Sequence, residues 1–146
     1  MSQEEIAPEP KDSAAETDER FPSGPWTGFW LQRGLTGRQW MRDLNLRFAD
    51  GLVEGSGVDC VGPFDLRGHY DLETGQCSMR KTYLDAHSVY YEGRNDDDGL
   101  WIWGTWRLAL DRGGFHIWPK GVDDPTQRRL HAEQDLPVEE LEAAAV

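Results

Sequence analysis

Cysteine is scarce: Cys60 and Cys77 are the only two in 146 residues. Two thiols cannot build the disulfide framework of a small secreted domain. They also lack a CxxC pair, so their spacing does not point to zinc, and free thiols are expected with neither metal nor cofactor. Long apolar runs are missing too. None approaches the roughly 20 residues that cross a bilayer as a helix, and no membrane partner is expected. The opening MSQEEIAPEPKDSAAETDER has no basic start and no apolar segment, which does not fit a secretory signal, so a cytoplasmic protein is the expectation. Positive charge is short as well, with 15 Lys and Arg against 27 Asp and Glu and a net charge of −12. Phosphate backbones need a basic face, so nucleic acid is not an expected partner. Catalytic motifs are lacking: His69, His87, His116 and His131 stand in no pattern, and there is no GxSxG, HExxH or phosphate-binding glycine loop. Chemistry is not expected of this chain.

What is present is a change of character at Phe21. Residues 1–20 carry seven acids and two bases and almost no large apolar side chain. Such a segment cannot bury enough surface to offset its ordering entropy, so an acidic disordered N-terminus is expected. Residues 21–124 hold all seven tryptophans, with turn signals every 8 to 12 residues. After Pro119 the alternation stops, and 125–146 reads as a short tail with a helix near Thr126–Gln134.

Alternation places eight strands in the middle region: Trp26–Arg33, Arg38–Phe48, Leu52–Asp59, Phe64–Asp71, Gln76–Leu84, His87–Arg94, Leu100–Leu110 and Phe115–Trp118. The fourth is the clearest, with Phe64, Leu66, Gly68 and Tyr70 on one face and Asp65, Arg67 and His69 on the other. Ala49-Asp50-Gly51, Glu73-Thr74-Gly75 and Asp111-Arg112-Gly113-Gly114 read as turns, and Asp96-Asp97-Asp98 as a solvated hairpin tip without calcium-loop spacing. Short links make sequence neighbours spatial neighbours. Eight such strands leave two exposed edges unless the sheet closes, which predicts an all-β, eight-stranded antiparallel up-and-down barrel. Pairing about Glu73-Thr74 sets Cys77 opposite Tyr70 and leaves Cys60 beyond disulfide reach.

The segments GFWLQRG (Gly28–Gly34), ADGLVEGSG (Ala49–Gly57), LRGHYD (Leu66–Asp71), YLDAHSVYYEG (Tyr83–Gly93) and WGTWRL (Trp103–Leu108) together resemble, in order, the avidin and streptavidin group of ligand-binding barrels. The Gly-x-Trp opening is shared with lipocalin barrels. The resemblance spans about Pro25 to Asp124 and implies the same barrel, with a small-molecule ligand in its mouth. By this resemblance Gln32 stands at the first-strand amide position, Ser88 at a ligand-bonding serine and Trp106 at a wall tryptophan. Gly57 and Asp59 replace a Tyr and a Ser, Tyr90 replaces a Thr, Met79 replaces a wall tryptophan, and Asp123 or Asp124 supplies the final Asp. Losing a buried hydrogen-bond partner costs about 1–3 kcal/mol each, so tight biotin binding is not expected.

Gln32, Asp59, Tyr70, Ser88, Tyr90 and Trp106 are therefore the candidate ligand-binding residues, with Tyr83 and Tyr91 beside them. The competing expectation is a barrel filled by its own side chains. Arg42 and Lys81 share strand parity with apolar neighbours. Either they enter the interior, with Asp59 as a candidate partner, or they lie at strand ends and reach water. Trp101 and Trp103 face away from Ile102, Gly104 and Trp106. Phe29 and Trp118 extend this aromatic patch, which a second copy, a partner protein or the chain's own tail would cover. A ligand-binding barrel and an associating module are thus the two functional expectations.

Overall fold

The computed structural model describes residues 14–84, 86–95 and 101–128. Eight strands form one closed antiparallel barrel: β1 Gly24–Trp30, β2 Gln39–Ala49, β3 Leu52–Val58, β4 Pro63–Tyr70, β5 Gln76–Tyr83, β6 Ser88–Asn95, β7 Ile102–Leu108 and β8 Asp111–Pro119. Each strand pairs with its neighbours in sequence, and β8 returns to β1 through pairs such as Phe29 with His116. A short helix, α1, spans Pro125–Arg128. The longer helix expected to reach Gln134, the Asp96-Asp97-Asp98 tip and the Leu100 start of the seventh strand lie outside the described residues.

The up-and-down order follows from the turns. Asp50 and Gly51 both take positive φ (54° and 79°) between the paired Ala49 and Leu52, the geometry of a two-residue hairpin whose twist matches its strands. At the β4–β5 link the Asp71 carboxylate accepts from the Glu73 amide at 2.8 Å, and Gly75 has φ 80°. Tyr70 pairs with Cys77, as the turn position predicts, and both cysteines are free.

Two local features depart from simple alternation. A bulge at Asp43 (φ 53°) interrupts the β2–β3 register between Arg42 and Asn45. Met41 faces the core before it and Leu44, Leu46 and Phe48 after it, while Arg42 is exposed. Of the two readings of Arg42, entry into the interior is therefore the one corrected: the extra residue switches the face on which its parity was counted. The second departure is the last turn. It falls at Ala109-Leu110, with Ala109 at φ 54°, and β8 already begins at Asp111. Gly113 and Gly114 are strand residues, not turn residues. A Cβ on Gly113 would sit 2.0 Å from the Leu31 carbonyl oxygen and 2.6 Å from Trp106 Nε1, so a glycine here answers a close approach.

Buried apolar side chains form one continuous cluster along the barrel. At one end Phe21, Phe48 and Tyr70 pack with ring centroids 4.8 to 5.4 Å apart. Residues 14–20, expected to be disordered, run across this end. The Glu16 amide donates to Phe48 O at 2.8 Å, Tyr70 Oη donates to Glu16 Oε1 at 2.5 Å, and Asn95 Nδ2 donates to Arg20 O at 2.6 Å. At the opposite end, which we call the mouth, Trp30 and Trp106 meet edge to face at 6.0 Å.

Candidate functional site

Between the mouth and the central core lies a buried ion pair. Lys81, on the inward face of β5, has no exposure, and its Nζ stands 2.6 Å from Oδ2 of Asp59, just past the end of β3. Asp59 is 3 % exposed. The sequence puts a lysine in the repeat Cys77, Met79, Lys81, Tyr83, every member of which faces inward. A cation there is tolerated only if it is paired and its donors are satisfied. Lys81 Nζ also donates to Tyr91 Oη at 3.1 Å and contacts Met41 Sδ at 3.7 Å. The rings of Phe64, Tyr83, Tyr91 and Trp30 surround it, with centroids 4.2 to 5.5 Å away.

Asp59 is held from several directions. Its Oδ2 accepts from Tyr83 Oη at 2.7 Å and Trp30 Nε1 at 3.1 Å as well as from Lys81, and its Oδ1 accepts from the Val61 amide at 2.9 Å. Burial alone would raise this carboxyl, but the Lys81 charge and the donors outweigh it and hold it below the usual carboxylate range. Burial pulls the Lys81 ammonium down to about 8 against the opposing pull of Asp59. Both directions leave a charged pair at neutral pH. The Tyr83 and Tyr91 hydroxyls are raised, chiefly by burial and then by the neighbouring Asp59, and stay protonated. Among the described residues the Tyr91 hydroxyl accepts from Lys81 but donates to no protein group.

Above this network the mouth holds a cavity of about 70 Å³ bordered by Trp30, Gln32, Tyr83, His87, Tyr91 and Trp106, among others. Gln32 Nε2 donates to Asp111 Oδ2 at 2.7 Å, tying the β1 end to β8. Trp106 Nε1 donates to Leu31 O at 2.9 Å, fixing the indole as one wall. The cavity is far smaller than the roughly 300–1,000 Å³ that encloses a drug-sized ligand.

The structure thus joins Gln32, Asp59, Lys81 and Trp106 around one end of the barrel. Three other expected residues fall elsewhere. Tyr70 belongs to the opposite end, against Phe21 and Glu16. Ser88 and Tyr90 face outward, Ser88 within 3.0 Å of Thr82 Oγ1 and Tyr90 55 % exposed, because Val89 and Tyr91 are the inward pair of β6. His87 and Tyr91 take their places at the mouth. The alternation of β6 was the signal that favoured Tyr91. Gly57 leaves room that Phe64 fills, since a Cβ there would lie 2.7 Å from the Phe64 ring.

The outer aromatic patch is present but largely closed. His116 packs against both Trp101 and Trp103, with ring centroids 5.5 and 6.4 Å away and the two indoles 5.9 Å from each other, and it also meets Phe29 at 5.2 Å. Trp101 is 2 % exposed, Trp103 is half-buried, and Arg38 lies over the Phe29 ring at 4.3 Å. Asp124 ion-pairs with Arg38 at 3.6 Å, and its Oδ1 accepts from the Thr126 amide at 2.8 Å, so it belongs to this outer patch. Trp40, 44 % exposed, is the open part of the patch. Among the described residues no cluster of three metal-ligating side chains occurs.

No family model matches the chain, and neither a curated protein nor a solved structure matches it.

Proposed function

We propose that this is a non-catalytic binding barrel that takes the end group of a small ligand into its mouth. The observation that carries the reading is the Tyr91 hydroxyl, whose proton has no acceptor among the described residues although its oxygen is held by Lys81 and its ring borders the mouth cavity. Such a donor suits a ligand acceptor, a carbonyl or a carboxylate. A volume of about 70 Å³ takes a head group of a few atoms, with the rest of the ligand lying on the rim at Val61, His87 and Leu108. The resemblance to avidins supports the mouth as the binding place. Its ligand does not follow, since Ser88 and Tyr90 face outward and Phe64 fills the space beside Gly57. Catalysis draws no support from the Lys81–Asp59 pair, whose charged groups satisfy one another within the core. The alternative, self-association through Trp101 and Trp103, draws less support because Trp101 is already buried within the chain.

The test is a thermal-melt and tryptophan-fluorescence screen against small carbonyl and carboxylate compounds, biotin included. A saturable rise in melting temperature, lost in Tyr91→Phe, supports the reading, because selective binding to the folded state must stabilise it. Shifts that persist unchanged in Tyr91→Phe and Trp106→Phe would rule the mouth out as their origin.

A further inference from the structure

The outer surface carries a second feature, away from the mouth. Strand register aligns seven side chains in one row across the barrel: Arg47, Glu54, Arg67, Arg80, Tyr90, Arg107 and Arg112, each directly opposite the next. Five of the chain's 15 basic residues thus stand in a single line on a protein of net charge −12. The pairs Arg67–Arg80 and Arg107–Arg112 set like charges opposite one another, an arrangement that weakens a sheet. Among the described residues Arg67, Arg80 and Arg107 form no ion pair, and all three are exposed. The row crosses a groove of about 680 Å³ whose lining includes Arg47, Arg67, Arg80, Tyr90 and Arg107.

We infer that this groove docks an extended acidic segment of a partner protein. Neighbouring strands are about 4.8 Å apart and alternate side chains of an extended chain about 6.8 Å apart, a difference that the long arginine side chains span, and a guanidinium grips a carboxylate through two parallel hydrogen bonds. Tyr90, 55 % exposed between Arg80 and Arg107, supplies an amphipathic ring of the kind that anchors interfaces. Charge selects a peptide over a nucleic acid. Glu54 stands in the row between Arg47 and Arg67, and Asp50 and Glu92 line the groove beside it. A duplex presents a negative charge about every 1.7 Å and would meet those acids as well as the arginines. A short segment can place its carboxylates at Arg67, Arg80 and Arg107, which no acid of the row separates.

The experiment uses the full chain and a fluorescein-labelled octapeptide alternating glutamate with threonine, read by anisotropy. Saturable binding that weakens as salt is raised is expected, and the glutamine-for-glutamate control peptide should not bind. The double variant Arg67→Gln, Arg80→Gln should bind roughly tenfold more weakly, since two charge-assisted contacts are lost. It should melt no lower than the parent, because it removes a like-charge pair. Arg67→Lys with Arg80→Lys should recover part of the loss, as the charge returns without the planar fork. Absence of binding, or binding untouched by the glutamine variant, overturns the inference. So does single-stranded DNA binding more tightly than the peptide. Self-association of the chain that the same arginine substitutions abolish would assign the groove to a second copy instead.

Discussion

Lys81 Nζ and Asp59 Oδ2 lie 2.6 Å apart with both side chains sealed from solvent, one charge contributed by the middle of β5 and the other by the chain leaving β3. This pair holds the β3–β4 connection against the barrel interior, since the same carboxylate accepts from the Val61 amide and from the Tyr83 and Trp30 side chains. Removing one partner leaves the other charge buried alone. Lys81→Met is expected to lower unfolding free energy by about 3–5 kcal/mol, measured in urea. Lys81→Met with Asp59→Leu should recover much of that loss, because no isolated charge remains. A double variant as unstable as the single one would show that the pair acts by more than mutual compensation.

His116 predicts an acid-side instability. Burial, assisted by Arg38 and opposed by Asp124, lowers its imidazole from 6.5 to about 4. Between those values the unfolded chain binds a proton that the folded chain does not, so stability rises with pH. Its contribution is fully present above pH 6.5 and is lost as pH falls toward 4, by on the order of 3 kcal/mol. Melting temperature measured across this window should fall in the parent and fall less in His116→Phe. Parallel slopes in the two proteins would contradict the assignment.

The thiols should separate cleanly. Cys60 is exposed, whereas burial, with Glu92 adding to it, pushes the Cys77 thiol up to about 12. An aromatic disulfide reagent should modify one thiol per chain under native conditions and both in denaturant. Cys77→Ser should leave the native count unchanged, and Cys60→Ser should abolish it.

Gly113 offers a packing test. Adding a methyl group places it against Leu31 O and the Trp106 indole. Gly113→Ala is expected to cost about 1–3 kcal/mol by overpacking and to loosen the Trp106 hydrogen bond to Leu31. The readouts are denaturant midpoint and a red shift of tryptophan emission. Full stability with unchanged emission would show that the strand gives way without consequence.

Most of the barrel was legible because its determinants are local. Period-two alternation, Asp50-Gly51 and the Glu73–Gly75 turn set the strand order and even the pairing of Tyr70 with Cys77. The misplacements have local causes too. One extra residue at Asp43 turned Arg42 outward, and the glycines at 113 and 114 served packing, not a turn. The partner of Lys81 was within reach of sequence reasoning, because a cation in an apolar strand face demands an acid. That Ser88 and Tyr90 point outward was also visible in β6 alternation, and alignment to a resembling family carried them to the wrong face. The arginine row was not legible: its members lie on different strands, and only the register brings them into line.

Closure of β8 onto β1 has a kinetic consequence. The pairing of Phe29 with His116 joins the first and last strands, the pair of neighbours farthest apart along the chain. Every other contact of the sheet is a hairpin that forms early and locally, whereas this one waits for the whole meander. Until it forms, the sheet has two unpaired edges and the rings of Phe29 and Trp118 stand open beside them. Refolding should therefore show its greatest tendency to clump during that interval, and dilution should rescue the yield more than cooling does.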